Sequence, residues 1–279
     1  MIGLIQNLVM TAVVFLMLGV GLQTTFRQIF DVIRQFQLLM RGIFANFLII
    51  PAVLYLGIQW SFLTPEVGIG LMVMAAAPVA PMAPPFVGMA KGDLPYAVGL
   101  MTVVALLCVP LTPLILSLCV ATSEQGVNLD IFQMIQTILI AQLIPISIGM
   151  AINHLKPHWR EKLVKFVPKI GQCLLVISII LIIGVGAKQM VGIGLIAHLA
   201  IFLAVIISLL VGDWMMLGET TARRRSLGIS TAIRNPALGL LIATGNFPGT
   251  DAVPVVLVFA VYSMIVGFAY GKLMFIVPD

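Results

Sequence analysis

The sequence predicts an all-α integral membrane protein of about nine transmembrane helices built as inverted repeats, and three observations lead there. Of 279 residues, 61% are hydrophobic and only 9% charged, with a mean hydropathy of +1.17, against roughly 25% charged residues in a soluble domain. Apolar runs of about 20 residues recur from end to end, the length a helix needs to cross roughly 30 Å of hydrocarbon. Two of these runs are interrupted by proline and polar residues at corresponding places in oppositely directed halves. Nothing is left over for a soluble catalytic domain. The expected organisation is one membrane domain over 1–279, with a first repeat at about 1–121 and a second at about 130–279.

In chain order the apolar runs lie near 8–22, 37–59, 66–90, 94–121, 130–153, 167–187, 191–216, 226–245 and 252–276. Met1 to Asn7 carries no basic residue, so the first run reads as a retained helix and not as a cleaved signal. The connecting segments alternate in charge. One side holds Arg27, Arg34, Arg41, Lys91, Lys156, Arg160, Lys162, Lys165, Lys169, Arg223, Arg224, Arg225 and Lys272. The other holds Lys188 with Glu66, Glu124, Asp130 and Asp251. Basic residues collect in cytoplasmic loops, which places the N-terminus outside and the C-terminus inside a cell inner membrane. The net charge of +5 is thereby an orientation signal, with the lipid bilayer and not nucleic acid as partner. Asp213 reads as an interfacial charge near Arg223 to Arg225.

The run at 66–90 contains Pro78, Pro81, Pro84 and Pro85. Each proline removes a backbone donor and clashes with the carbonyl four residues back, so together they break the helix. The freed carbonyls must be buried in protein or line a wet cavity. In the run at 226–245, Ser230, Thr231, Arg234 and Asn235 precede Pro236, which ends a first half-helix. Paired interruptions of this kind point to a transporter's midplane site. Arg234, nine residues past Arg225, lies about 13 Å along the helix at 1.5 Å per residue. A charge at that depth costs at least roughly 2.5–3.5 kcal/mol on insertion scales, so something must compensate it. Its planar fork suits a carboxylate or a set of carbonyls. Asn46, Ser230, Thr231, Asn235 and Tyr262 are the polar residues expected to orient a substrate beside it.

Cys108, Cys119 and Cys173 lack metal or disulfide spacing, as do His154, His158 and His198, so no metal and no cofactor is expected. The sixteen methionines, Met72, Met74, Met82, Met89 and Met101 among them, read mainly as adaptable apolar packing. An intramembrane enzyme would need a Ser/His pair, paired aspartates or a zinc motif in the membrane, and the sequence has none.

At the interrupted helices the chain resembles the bile acid:sodium symporter family. The resemblance rests on PVAPMAPPFVGMAKGD (78–93), VPLTP (109–113), ANFLIIP (45–51), IRNPALG (233–239) and AVPVV (252–256). It implies two crossing broken helices in a core domain, a panel domain that moves against it, organic-anion substrates and a monomer. Family members hold two sodium ions, with a serine-asparagine pair after the first break, hydroxyls on the next helix, and a glutamate and glutamine on the second broken helix. The matching places here read Ala83 and Pro84, Ala97 and Met101, and Ser230 and Arg234, while Asn46 matches another amide. These departures imply a secondary transporter of organic anions, small carboxylates or bile-acid-like, that lacks the usual sodium coupling and carries Arg234 in place of a cation. The alternatives are a sodium-coupled symporter with a rebuilt ion site and a non-transporting sensor or scaffold.

Overall fold

The computed structural model describes residues 2–61, 63–120 and 130–276. Fourteen α-helices follow one another: α1 Ile2–Gln23, α2 Phe26–Arg34, α3 Phe36–Phe44, α4 Ile50–Gln59, α5 Pro65–Ala75, α6 Ala83–Met89 and α7 Leu94–Val120 come first. After them stand α8 Ile131–Ile138, α9 Ile144–Leu155, α10 Pro157–Gly192, α11 Leu195–Met215, α12 Thr221–Ala232, α13 Pro236–Asn246 and α14 Ala252–Ile276. No strand occurs among the described residues. Glu124 and the link between the halves lie outside them.

Among the described residues, seven helical spans are long and apolar enough to cross a membrane: α1, α3 with α4, α7, α8 with α9, α10, α11 and α14. The remaining expected crossings are the two interrupted runs, each present as a pair of short helices, α5 with α6 and α12 with α13. The outward faces of the long helices carry exposed Leu, Ile and Phe such as Ile180, Leu199, Phe202 and Leu203. Such faces suit lipid, because backbone polar groups are already paired inside each helix.

Two elements differ from the hydropathy reading. Helix α2 fills the link between the first two apolar runs. It starts with a capping box, the Thr25 side chain accepting the Gln28 N–H at 3.2 Å and Gln28 Oε1 the Thr25 N–H at 2.9 Å. Val32 is buried against α7, and Phe26, Phe30 and Ile33 are exposed. Helix α10 begins ten residues before its expected start at 167, because Pro157 sits in its first turn and the charged segment that follows is helical but polar.

The helices form two groups. Helix α1 packs along α9 and α10, while α5, α7, α11, α12, α13 and α14 pack on one another around the broken segments. On the acidic side the groups are closed, with α1 against α13 and the Gln6 amide donating to the Thr244 carbonyl. On the basic side Arg223 bridges Glu219 at 2.9 Å and Asp93 at 3.7 Å, tying the start of α12 to the start of α7.

Glu66 and Asp251 meet on the acidic side, Glu66 accepting the Asp251 backbone N–H at 3.0 Å. Burial first, and then the Glu66 carboxylate, push the Asp251 pKa above its usual value. The native state therefore holds that proton more tightly than the unfolded chain, and stability falls as pH rises from the ordinary carboxylate range upward. Asp251→Asn is expected to raise the melting temperature by a few degrees near neutral pH and to leave it unchanged below about pH 4. A melting curve against pH for both chains checks this, and equal gains at both ends would refute it.

Candidate functional site

The site begins with the break between α5 and α6. Pro78 and Pro81 stand in the break itself, while Pro84 and Pro85 occupy the first turn of α6, where no intrahelical donor is required. Val79 has φ +41°, a left-handed backbone that a β-branched residue rarely adopts.

Two flanking hydrogen bonds hold this geometry. The Ala80 N–H donates to the Ile233 carbonyl at 2.9 Å, and the Asn235 N–H donates to the Ala77 carbonyl at 2.9 Å. The two breaks thus cross and pair their backbones, which satisfies polar groups that cannot face lipid. Thr112 on α7 adds a third tie, donating to the Ala76 carbonyl at 2.6 Å. Asn235 caps α13, its Oδ1 accepting the Leu238 N–H at 3.1 Å, and Pro236 follows in the first turn.

Arg234 is fully buried. Its Nη1 donates to the carbonyls of Met74 at 3.1 Å and Ala75 at 2.6 Å, and Nη2 to the carbonyl of Asn46 at 3.3 Å. The first two are among the last carbonyls of α5, the negative end of that half-helix, where a cation is stabilised. The third is free for a local reason. Residues 45–49 form a single π-helical turn, in which the Ile50 N–H reaches back to Ala45. The carbonyl of Asn46 would pair five residues on, but that residue is Pro51 and has no N–H. The guanidinium takes the orphaned acceptor. No carboxylate lies within ion-pair distance of Arg234 among the described residues.

The other expected residues divide. The Asn46 amide donates to Gly42 at 2.9 Å and leaves its buried Oδ1 without a partner, as does Ser230 Oγ. Thr231 is spent on helix packing, donating to Ser208 on α11 at 2.7 Å. Tyr262 stands in a separate cluster, 3.0 Å from His198 Nδ1 and edge-on to Phe202.

Between the two helix groups lies a cavity of about 750 Å³, within the range of roughly 300–1,000 Å³ typical of ligand sites. Its walls are the basic-side halves of α1 and α10, the first break, and the start of α13, where the buried Asn235, Pro236 and Ala237 line it. Of the six residues singled out in the sequence, Asn235 lines the cavity, and Arg234 sits behind it, holding the crossover. Sequence reading passed over Gln23, Thr24, Lys165, Lys169 and Gln172, which also line it. Loop charge alone reads the lysines as orientation signals; the periodicity of α10, continued through its polar start, is the signal that places them on the cavity face.

Two crossed half-helix pairs at the head of a cavity, between two groups of spanning helices, define a membrane transporter. The chain belongs to the Sodium Bile acid symporter family, whose pattern matches residues 10–193. It is similar to the "Uncharacterized sodium-dependent transporter YocS" of Bacillus subtilis (strain 168), 22% identical over 242 residues that cover 86% of this chain and 74% of that protein. It is also similar to the "Probable sodium/metabolite cotransporter BASS2, chloroplastic" of Oryza sativa subsp. japonica, 23% identical over 241 residues, 84% of this chain and 55% of the rice protein. The chain therefore spans little more than half the length of that second relative. Transport, and not enzymatic catalysis, is the activity of the family.

Proposed function

We propose that this protein is a secondary transporter of organic anions across the cell inner membrane, with its N-terminus outside, and that Arg234 stands where its family holds a cation. The observation that carries the reading is the Arg234 guanidinium itself, donating to carbonyls from both α5 and the π turn beside α4. Acceptors gathered at a helix end are the kind of group that coordinates sodium, and here a fixed charge occupies them. Ala83, Pro84, Ala97 and Met101, at the places of the family's other ligands, bring no side-chain oxygen that ligates a hard cation. A fixed charge is not released in each cycle. Such a protein works as a uniporter or exchanger, driven by the substrate's own gradient.

The sodium-coupled reading draws on the names of the two relatives and on the unpaired Asn46 Oδ1 and Ser230 Oγ. Uptake into proteoliposomes separates the two. Radiolabelled pyruvate, succinate and taurocholate are offered with and without a sodium gradient. At least one is expected to enter at the same rate in both cases and to exchange with unlabelled substrate inside. A rate that rises several-fold with the sodium gradient would overturn the arginine-for-cation reading while leaving the transporter intact. Absence of uptake across the panel would favour a sensor or scaffold.

A further inference from the structure

We propose that Lys165 and Lys169 are the anion-selecting groups of the cavity, attracting the charged end of the substrate to α10; this rests on the reading of that cavity as the substrate site. Helix α10 presents Lys165, Lys169, Gln172, Val176 and Ile179 to the cavity. The spacing of four, three, four and three residues is one face of a helix. Along that face the chemistry changes in order, from two cations through an amide to two aliphatic side chains. Fourteen residues separate Lys165 from Ile179, roughly 21 Å at 1.5 Å per residue.

Helix α1, packed directly against α10, repeats the gradient, with Gln23 and the following Thr24 at the polar end and Leu16 and Val20 at the apolar end. Both walls are thus polar toward the basic side and apolar toward the crossover. No aspartate or glutamate is among the lining residues. Neither lysine is engaged in an ion pair or hydrogen bond with a described residue.

A purely topological role explains basic residues at this end of α10 in general, but not which of them face the cavity. Lys162 belongs to the same basic segment and is absent from the cavity wall, whereas Lys165 and Lys169 stand one turn apart upon it. A cleft lined by one sign of charge between low-dielectric walls concentrates counter-ions by roughly 10- to 1,000-fold. The consequence is a mouth that admits organic anions, orients the charged group toward the basic side and leaves an apolar body to lie along Leu16, Val20, Val176 and Ile179.

The test needs neither a known substrate nor sodium. Met264 on α14 also lines the cavity. In a full-length chain with Cys108, Cys119 and Cys173 changed to alanine, Met264→Cys provides one thiol. Its rates of reaction are measured in detergent with 2-sulfonatoethyl and 2-trimethylammonioethyl methanethiosulfonate, each divided by the rate for a free thiol in solution. The anionic reagent is expected to be favoured. Lys165→Gln with Lys169→Gln should lower the normalised anion-to-cation ratio by at least about tenfold, and the two single changes by less each. The paired Lys→Arg substitutions should preserve the ratio and serve as the check on folding. A ratio that is unchanged in the double glutamine variant, or a native ratio no greater than that of free thiol, overturns the proposal. Because this readout is independent of uptake, it stands or falls separately from the sodium experiment.

Discussion

Arg234→Ala is expected to cost about 3–5 kcal/mol of stability and to abolish transport. The magnitude follows from two opposed terms. Removing the guanidinium relieves the cost of keeping a charge out of water, which by itself favours the variant. It also leaves the carbonyls of Ala75 and Asn46 buried with their donors gone, at roughly 1–3 kcal/mol for each orphaned group, while the Met74 carbonyl keeps the Ala77 N–H at 3.2 Å. The second term wins, because neither orphaned carbonyl can turn to an intrahelical partner. Ala75 lies at the end of α5, and Asn46 faces Pro51. Melting of the purified protein should fall by roughly 10 °C at about 2–4 °C per kcal/mol. Arg234→Lys should lie between, since a single ammonium can serve Met74 and Ala75 but gives up the separate nitrogen that reaches Asn46. Arg234→Ala melting within a degree or two of native would mean that the carbonyls find other donors, and the clamp would be discarded.

The two helix breaks were legible because proline acts through local sterics, whatever surrounds it. Arg234 was legible as a residue in need of compensation, because a lone charge in an apolar run has a known cost. Its partners were not legible, for they depend on which carbonyls the tertiary crossing brings within reach. Asn46 shows the limit. Its amide attracted attention as a polar group, whereas its contribution to Arg234 is a main-chain oxygen exposed by a π turn and by Pro51 five residues on. Hydropathy located the long spans but started α10 too late and missed α2, because a helix lying outside the hydrocarbon need not be apolar. Thr25 and Gln28, spaced as a capping box, were the overlooked sign of α2. The place of Lys165 and Lys169 on the cavity wall was not legible for a related reason: a charge that sets topology can also face a cavity, and composition does not separate the two.

The second large effect is expected at Gly212 on α11. A Cβ added there would lie 2.2 Å from Thr231 Oγ1, 2.6 Å from the Leu227 carbonyl oxygen and 2.8 Å from the Gly228 Cα. Thr231 could rotate away at the cost of its hydrogen bond to Ser208, but the Leu227 and Gly228 atoms are main chain. Helices α11 and α12 must therefore separate. Small residues at such contacts are what lets membrane helices associate closely. A shift of α12 also moves the crossover, because α12 leads directly into Ile233 and Asn235, whose 2.9 Å backbone bonds to the first break leave little slack. Gly212→Ala should consequently lower the melting temperature by more than 10 °C, or give no folded protein, and reduce uptake in whatever fraction folds. Gly57→Ala on α4 is the matched control, since its Cβ meets nothing within 4 Å and alanine is favoured over glycine in a helix by up to about 1 kcal/mol. Equal stability of the two variants would show that α11 and α12 can part without disturbing the break, and that the crossover is held by Arg234 and its carbonyls alone.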